Sequence, residues 1–306
     1  MISIIICSAN SELLETAISN IKSTIGVVHE LLVFENSDGE KGICEIYNEG
    51  ANRARYEILC YMHEDLNIKT QNWGKEVIRI FNEQKSAGII GVAGSSYKSY
   101  TPSGWAVAAH GLNMIFCNYI QVYKRNSRPS FHYHLNPGEN DLAPVVCVDG
   151  MWFCTRKTIV TRYPFDQDLL KGFHCYDLDF CFSVKQEYDI FVTYNILMEH
   201  FSEGGYDRSW IDDTLKIHSK WSDMLPLSLN HISVGERNFI KKRSYRWLIE
   251  KMISLQYSLK SIVGLLNQHR KYGSMKNKEY LKLLYYTVKT FFYNKDNLYR
   301  LIRDSF

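Results

Sequence analysis

Residues 2–7 read Ile-Ser-Ile-Ile-Ile-Cys, an almost unbroken β-branched run at the start of the chain. A strand without polar alternation must be covered on both faces, as in a sheet flanked by helices. Ser8-Ala9-Asn10 breaks the run. Residues 12–21 then place Leu13, Leu14, Ala17, Ile18 and Ile21 on one helical stripe, with Ser11 as the expected N-cap. The alternation continues, with strands expected over 29–34, 57–62 and 87–92 and helices over 43–54 and 72–81. This order specifies a doubly wound α/β sheet. Ligands of such sheets bind beyond the carboxyl ends of the strands, so the polar residues just after each strand are the candidates for chemistry.

The rest of the chain is less regular. Residues 97–144 are rich in Gly, Pro, Asn, Tyr and His and are expected to form loops and hairpins, a candidate flap. Strand character returns over 145–154, and helical spacing is expected from 212 onward and again over 243–306. The expected organisation is an α/β domain over 1–215 and a helical region over 216–306. Charge supports that division. Residues 236–306 hold 16 Lys/Arg against 5 Asp/Glu, whereas the whole chain holds 36 against 33. A basic amphipathic region of this kind suits peripheral contact with an anionic membrane face, or packing on its own domain.

Several classes are disfavoured. The eight cysteines form no C-x-x-C pair and sit in apolar runs, so they read as small buried hydrophobes. The first apolar run is too short for a signal peptide, and no apolar stretch reaches spanning length, so a cytoplasmic location is expected. Neither a G-x-G-x-x-G nor a G-x-x-x-x-G-K-[ST] follows the first strand. No nucleic-acid-reading motif accompanies the basic tail, and no nucleic-acid partner is expected.

Four positions could carry chemistry. His63-Glu64-Asp65 ends the third strand, and its carboxylates suit Mg²⁺ or Mn²⁺. Glu35, after the second strand, could hydrogen-bond a ribose or base edge. Tyr176-Asp177-Leu178-Asp179 offers one carboxylate as a general base and another as a helix cap. His200 follows an apolar run. Taken singly, each also fits an ordinary loop, cap or structural role. His132 and His134 read as loop residues.

In order along the chain these pieces resemble the inverting family 2 glycosyltransferases of the GT-A fold. The likeness is carried by residues 46–65, then by Val148-Asp149-Gly150-Met151-Trp152-Phe153 and Tyr176-Asp177-Leu178-Asp179, and it covers residues 1–204. The resemblance implies a doubly wound mixed sheet with a helical extension. It implies transfer from a nucleotide-diphosphate sugar, a UDP-sugar, to a hydroxyl of a saccharide or lipid-linked acceptor, in glycan or polysaccharide synthesis. It implies donor contacts from Glu35, Asn48, Gly50, Glu64 and Asp149. Asp65 is implied as metal ligand with His200 completing the shell, Asp177 as base, and Mn²⁺ or Mg²⁺ as cofactor. Two positions depart from the pattern: His63 replaces the first Asp of D-x-D, and Tyr176 replaces the Glu before the base. The alternatives are a nucleotidyltransferase, which would need a Gly-rich loop where Ser8-Ala9-Asn10 stands, or an inactive sugar- or nucleotide-binding module.

Overall fold

The structure, a computed structural model, describes residues 1–293 except 107–110, 124–127, 203 and 272–274. Parts of the 97–144 segment, and residues 294–306 of the expected helical region, therefore lie outside the described residues. The chain opens with β1 (Ile2–Ser8), α1 (Ser11–Thr24), β2 (His29–Glu35), α2 (Ile43–Arg53) and β3 (Ile58–Met62). It continues through β4 (Leu66–Ile68), α3 (Trp73–Glu83), β5 (Ala87–Gly91), β6 (Ala93–Ser95) and β7 (Tyr97–Lys98). Next come β8 (Ile115–Gln121), β9 (Phe131–Leu135), β10 (Leu142–Val145), β11 (Cys147–Val148) and β12 (Trp152–Arg156). Then follow α4 (Lys157–Arg162), α5 (Tyr176–Lys185), β13 (Asp189–Thr193), β14 (Met198–His200), α6 (Arg208–Lys220) and β15 (Leu227–Ser228). Three helices, α7 (Val234–Ser254), α8 (Leu259–Lys271) and α9 (Asn277–Tyr293), complete the described chain.

Among the described residues, seven strands form the main sheet in the order β10-β13-β5-β12-β3-β1-β2. β1 is parallel to both neighbours, while β12 runs antiparallel to β3 and β5, so the sheet is mixed. Ile2, Ile4, Ile5 and Ile6 are fully buried, as a helix-covered strand requires. α2 presses so closely on β1 that a Cβ on Gly50 would lie 2.6 Å from the Ile5 side chain. Seven cysteines are buried and Cys7 half-buried, all as free thiols.

Helix starts differ from the expected ones. Asn10, not Ser11, caps α1, with Oδ1 accepting from the N–H of Glu12 and Leu13 at 3.1 Å each. Asn10 is extended and Ser11 already helical, so only Asn10 has the cap geometry. α6 begins at Arg208, capped by Asp207, and α7 at Val234, capped by Ser233.

Residues 97–144 are richer in strand than expected. β8 pairs with β6, β9 and β14, which makes it the centre of a second sheet ordered β11-β6-β8-β14-β4. His132 and His134 lie on β9, not in a loop, and both contact Asn118 Oδ1. Their strand is short and half-exposed, which blurs its apolar period.

α6 runs across the 215/216 division and serves two cores. Ile217 packs beneath the main sheet, while Trp210 and Ile211 join α7, α8 and α9 around Tyr245, Leu248 and Ile262. Fully buried Lys98 locks α6 to the loop after β7. Its ammonium donates to Ser103 O at 3.0 Å, Ser103 Oγ at 2.6 Å and His218 Nε2 at 2.9 Å.

Candidate active site

Strand pairing assembles the site. β14 runs antiparallel to β4 with His200 opposite Leu66, and Phe201 N–H donates to Asp65 O at 2.9 Å. His200 is thereby brought beside Asp65 from 135 positions away in sequence. β12 pairs with β3 so that Trp152 faces Met62, and His63 N–H donates to Met151 O at 2.9 Å. The chain just before β12, Asp149 and Gly150, therefore lies against His63.

His63, Asp65 and His200 each offer one ligand atom, and these atoms lie within 4.8 Å of one another. Asp65 Oδ1 stands 3.9 Å from His63 Nδ1 and 3.7 Å from His200 Nε2. It is buried, and among the described residues no hydrogen bond reaches it. A buried carboxylate oxygen without a donor is costly. Two imidazoles and a carboxylate around that oxygen fit a divalent cation.

Tyr176 fixes how His63 can act. The Tyr176 hydroxyl lies 2.9 Å from His63 Nε2 and 3.0 Å from Gly150 O. A carbonyl only accepts, so the single phenol proton goes to Gly150 O, and the phenol oxygen accepts from His63 Nε2–H. Neutral His63 then presents the Nδ1 lone pair, the nitrogen that faces Asp65. The two departures from the family pattern, His63 and Tyr176, are thus one hydrogen-bonded unit. Gly150 is part of it, since a Cβ there would meet the Tyr176 hydroxyl at 2.4 Å.

Asp177 follows at the first turn of α5. The turn is set by Cys175 in the left-handed region at φ +62°. Asp177 Oδ2 accepts from Gly150 N–H at 3.0 Å and Oδ1 from Leu178 N–H at 2.9 Å. Burial, reinforced by the Asp149 carboxylate, pushes its pKa up to about 7 against those two donors. Asp179 does not cap the helix. It is buried and bound by Lys220 at 2.8 Å and the Trp221 indole at 2.7 Å, tying α5 to α6.

These groups share one cleft of about 350 Å³, lined by His63, Asp149, Asp177 and His200, with Trp105 and Trp210 on its walls. Larger cavities lie elsewhere. One of about 590 Å³ is lined by Asn48, Asp166 and Lys220, but its acid and base already pair at 2.8 Å.

The other candidates are placed as follows. Glu35 is exposed at the carboxyl end of β2, in register with Ser8. Asp149 accepts from Met151 N–H at 2.8 Å and lines the cleft. Glu64 turns towards the loop after β1, accepting from the Ser8 hydroxyl and from the N–H of Ala9 and Asn10. Asn48 and Gly50 do not line the cleft. Asn48 is held by Phe165 and Gln167, and Gly50 faces Ile5 in the core. Their spacing on α2 serves packing because that helix covers the sheet. Sequence reasoning gave Tyr176 and Gly150 no role; the paired departures at 63 and 176 were the available signal.

Comparison with known proteins gives the family and the fold. Residues 3–210 match a protein-family model described as "Glycosyltransferase like family". No curated protein matches the chain. Among solved structures, GalNAc-T7 with UDP, GalNAc and Mn²⁺ is similar at a TM-score of 0.52 and 11% identity, over 95% of this chain and 57% of that one. The chain thus spans little more than half of GalNAc-T7. Staphylococcus aureus TarS 1–349 is similar at 0.52 and 12% identity, over 100% of this chain and 92% of that one. The same TarS fragment in complex with UDP matches at 0.50 and 12% identity, again over 100% and 92%. At these identities the structures speak for the fold, the GT-A arrangement. The chain belongs to the glycosyltransferase-like family.

Proposed function

We propose that the protein moves a sugar, with inversion, from a nucleoside-diphosphate sugar to an acceptor hydroxyl. The supporting observation is that His63 and His200, the two histidines clustered with Asp65, line one cleft with Asp177, a carboxylate with a raised pKa. His63 Nδ1, Asp65 Oδ1 and His200 Nε2 would hold Mn²⁺ or Mg²⁺. Bound there, the cation supplies positive charge to a diphosphate leaving group. Asp177, ionised, takes the proton of the attacking hydroxyl, and a pKa near neutrality suits that task. Attack from the face opposite the leaving group inverts the anomeric carbon in a single displacement.

UDP in the GalNAc-T7 and TarS structures supports a UDP-sugar donor. Glu35 and Asp149 are the carboxylates we assign to donor contacts, and Glu64 acts by holding the loop after β1. Partly exposed Phe173 and Tyr206 line the cleft, and an aromatic lining suits a saccharide acceptor, free or lipid-linked, in glycan synthesis.

Calorimetry of UDP binding with and without Mn²⁺, followed by donor turnover, tests the reading. UDP binding that strengthens with Mn²⁺ is the expected result. Asp177→Asn should keep that binding and lose transfer; a variant that still turns over sinks the base assignment. UDP binding indifferent to Mn²⁺ in the wild-type protein sinks the metal assignment.

A further inference from the structure

α9 carries two apolar stripes, and the fold uses one. Tyr280, Leu283, Thr287 and Thr290 face inward and are buried against the other C-terminal helices. Leu281, Tyr285, Val288 and Phe292 recur at the same helical spacing on the outside, with exposures of 62%, 70%, 40% and 69%. At 100° per residue these four lie within a 60° arc, a continuous ridge rather than scattered side chains. Lys278, Lys282 and Lys289 stand exposed along one flank of it.

The charge beside the ridge is one-sided. Lys282, Lys289, Lys242 and Arg246 line a groove of about 740 Å³ between α7 and α9 that also takes in Tyr285. The carboxylate in that lining, Glu279, is engaged by Lys241 at 2.9 Å. A second copy docking its own ridge here antiparallel would set lysines against lysines. An anionic surface meets both features, since acyl chains accept the ridge while phosphates meet the cations. No helix of the described residues is long and apolar enough to cross a membrane, so such contact lies in the interface plane.

We propose that the outer face of α9 is a docking surface for an anionic phospholipid bilayer. Leu281, Tyr285, Val288 and Phe292 enter the headgroup boundary, and Lys282, Lys289, Lys242 and Arg246 hold phosphates beside them. This goes beyond the glycosyl-transfer reading and stands or falls separately from it.

The test is flotation of the full chain with vesicles of pure phosphatidylcholine and of phosphatidylcholine containing phosphatidylglycerol. Recovery is expected with the anionic vesicles alone and should fall as salt rises. The double variants Leu281→Ser/Phe292→Ser and Lys282→Glu/Lys289→Glu should each weaken vesicle binding about tenfold or more, with unchanged circular dichroism. These positions are exposed, so the variants fold. Three results overturn the proposal: no recovery with anionic vesicles at low salt, undiminished binding by Leu281→Ser/Phe292→Ser, or a solution dimer that this same variant dissociates.

Discussion

At the cleft, the site is gathered through strand pairing: His200 reaches Asp65 on β14, and Gly150 and Tyr176 reach His63 through β12 and α5. On α9, Leu281, Tyr285, Val288 and Phe292 share a face through helical periodicity alone. The first arrangement is non-local and hydrogen-bonded, so each member depends on the others. The second is local and open, so its members act independently. Substitutions in the cleft should therefore propagate, and those on the ridge should not.

The largest effect expected is at Asp177. Asp177→Asn should lower kcat by about 10³-fold, the usual range for losing a general base, while UDP affinity stays within about twofold. The pH profile sharpens this prediction. Asp177 must be ionised to accept a proton, and its pKa is pushed up to about 7. Activity should thus rise with pH through about 7 and fall up to tenfold per unit below it. A profile flat from pH 5 to 8 breaks the assignment.

Next is Ile217, fully buried on α6 beneath the sheet. Ile217→Ala should cost about 2–4 kcal/mol of stability. Because α6 also anchors the C-terminal helices, calorimetry should show one transition moved as a whole. Two separated transitions would show that the cores melt independently.

Tyr176→Phe comes third. It removes the acceptor that orients His63 Nε2–H. Mn²⁺ affinity should fall about tenfold, at the low end of effects for groups that orient a metal ligand. The smallest effect is expected from Leu281→Ser/Phe292→Ser. Without vesicles, stability should change by no more than about 0.5 kcal/mol and turnover of a soluble acceptor should not change. A marked loss of either would show that the ridge is coupled to the cleft after all.

The sequence made the main strand–helix order of the first 95 residues legible, because β1, β3 and β5 are buried, mostly apolar runs of at least five residues. It did not reveal the second sheet. β4, β6, β11 and β14 are two or three residues long, too short for any period to show. Of the site, Asp65, Asp149, Asp177 and His200 could be named in advance, and they lie at or beside the cleft. Asn48 and Gly50 could not be sorted from packing positions, since a helix against a sheet also selects a small residue and an anchored amide. The start of α7 is legible in the sequence, because Ser233 and Glu236 have the spacing of a capping box.

Trp210 belongs to two neighbourhoods at once. It lines the cleft, and it packs with Tyr245, Leu248 and their partners in the C-terminal core. With Ile217 on the same helix set under the sheet, α6 works as a bracket and not as a tether. On the proposed bilayer, whatever orients the C-terminal helices would therefore also set the tilt of the cleft and its height above that surface. An acceptor would then have to present its hydroxyl at one elevation, so the bracket acts as a ruler as well as a fastening.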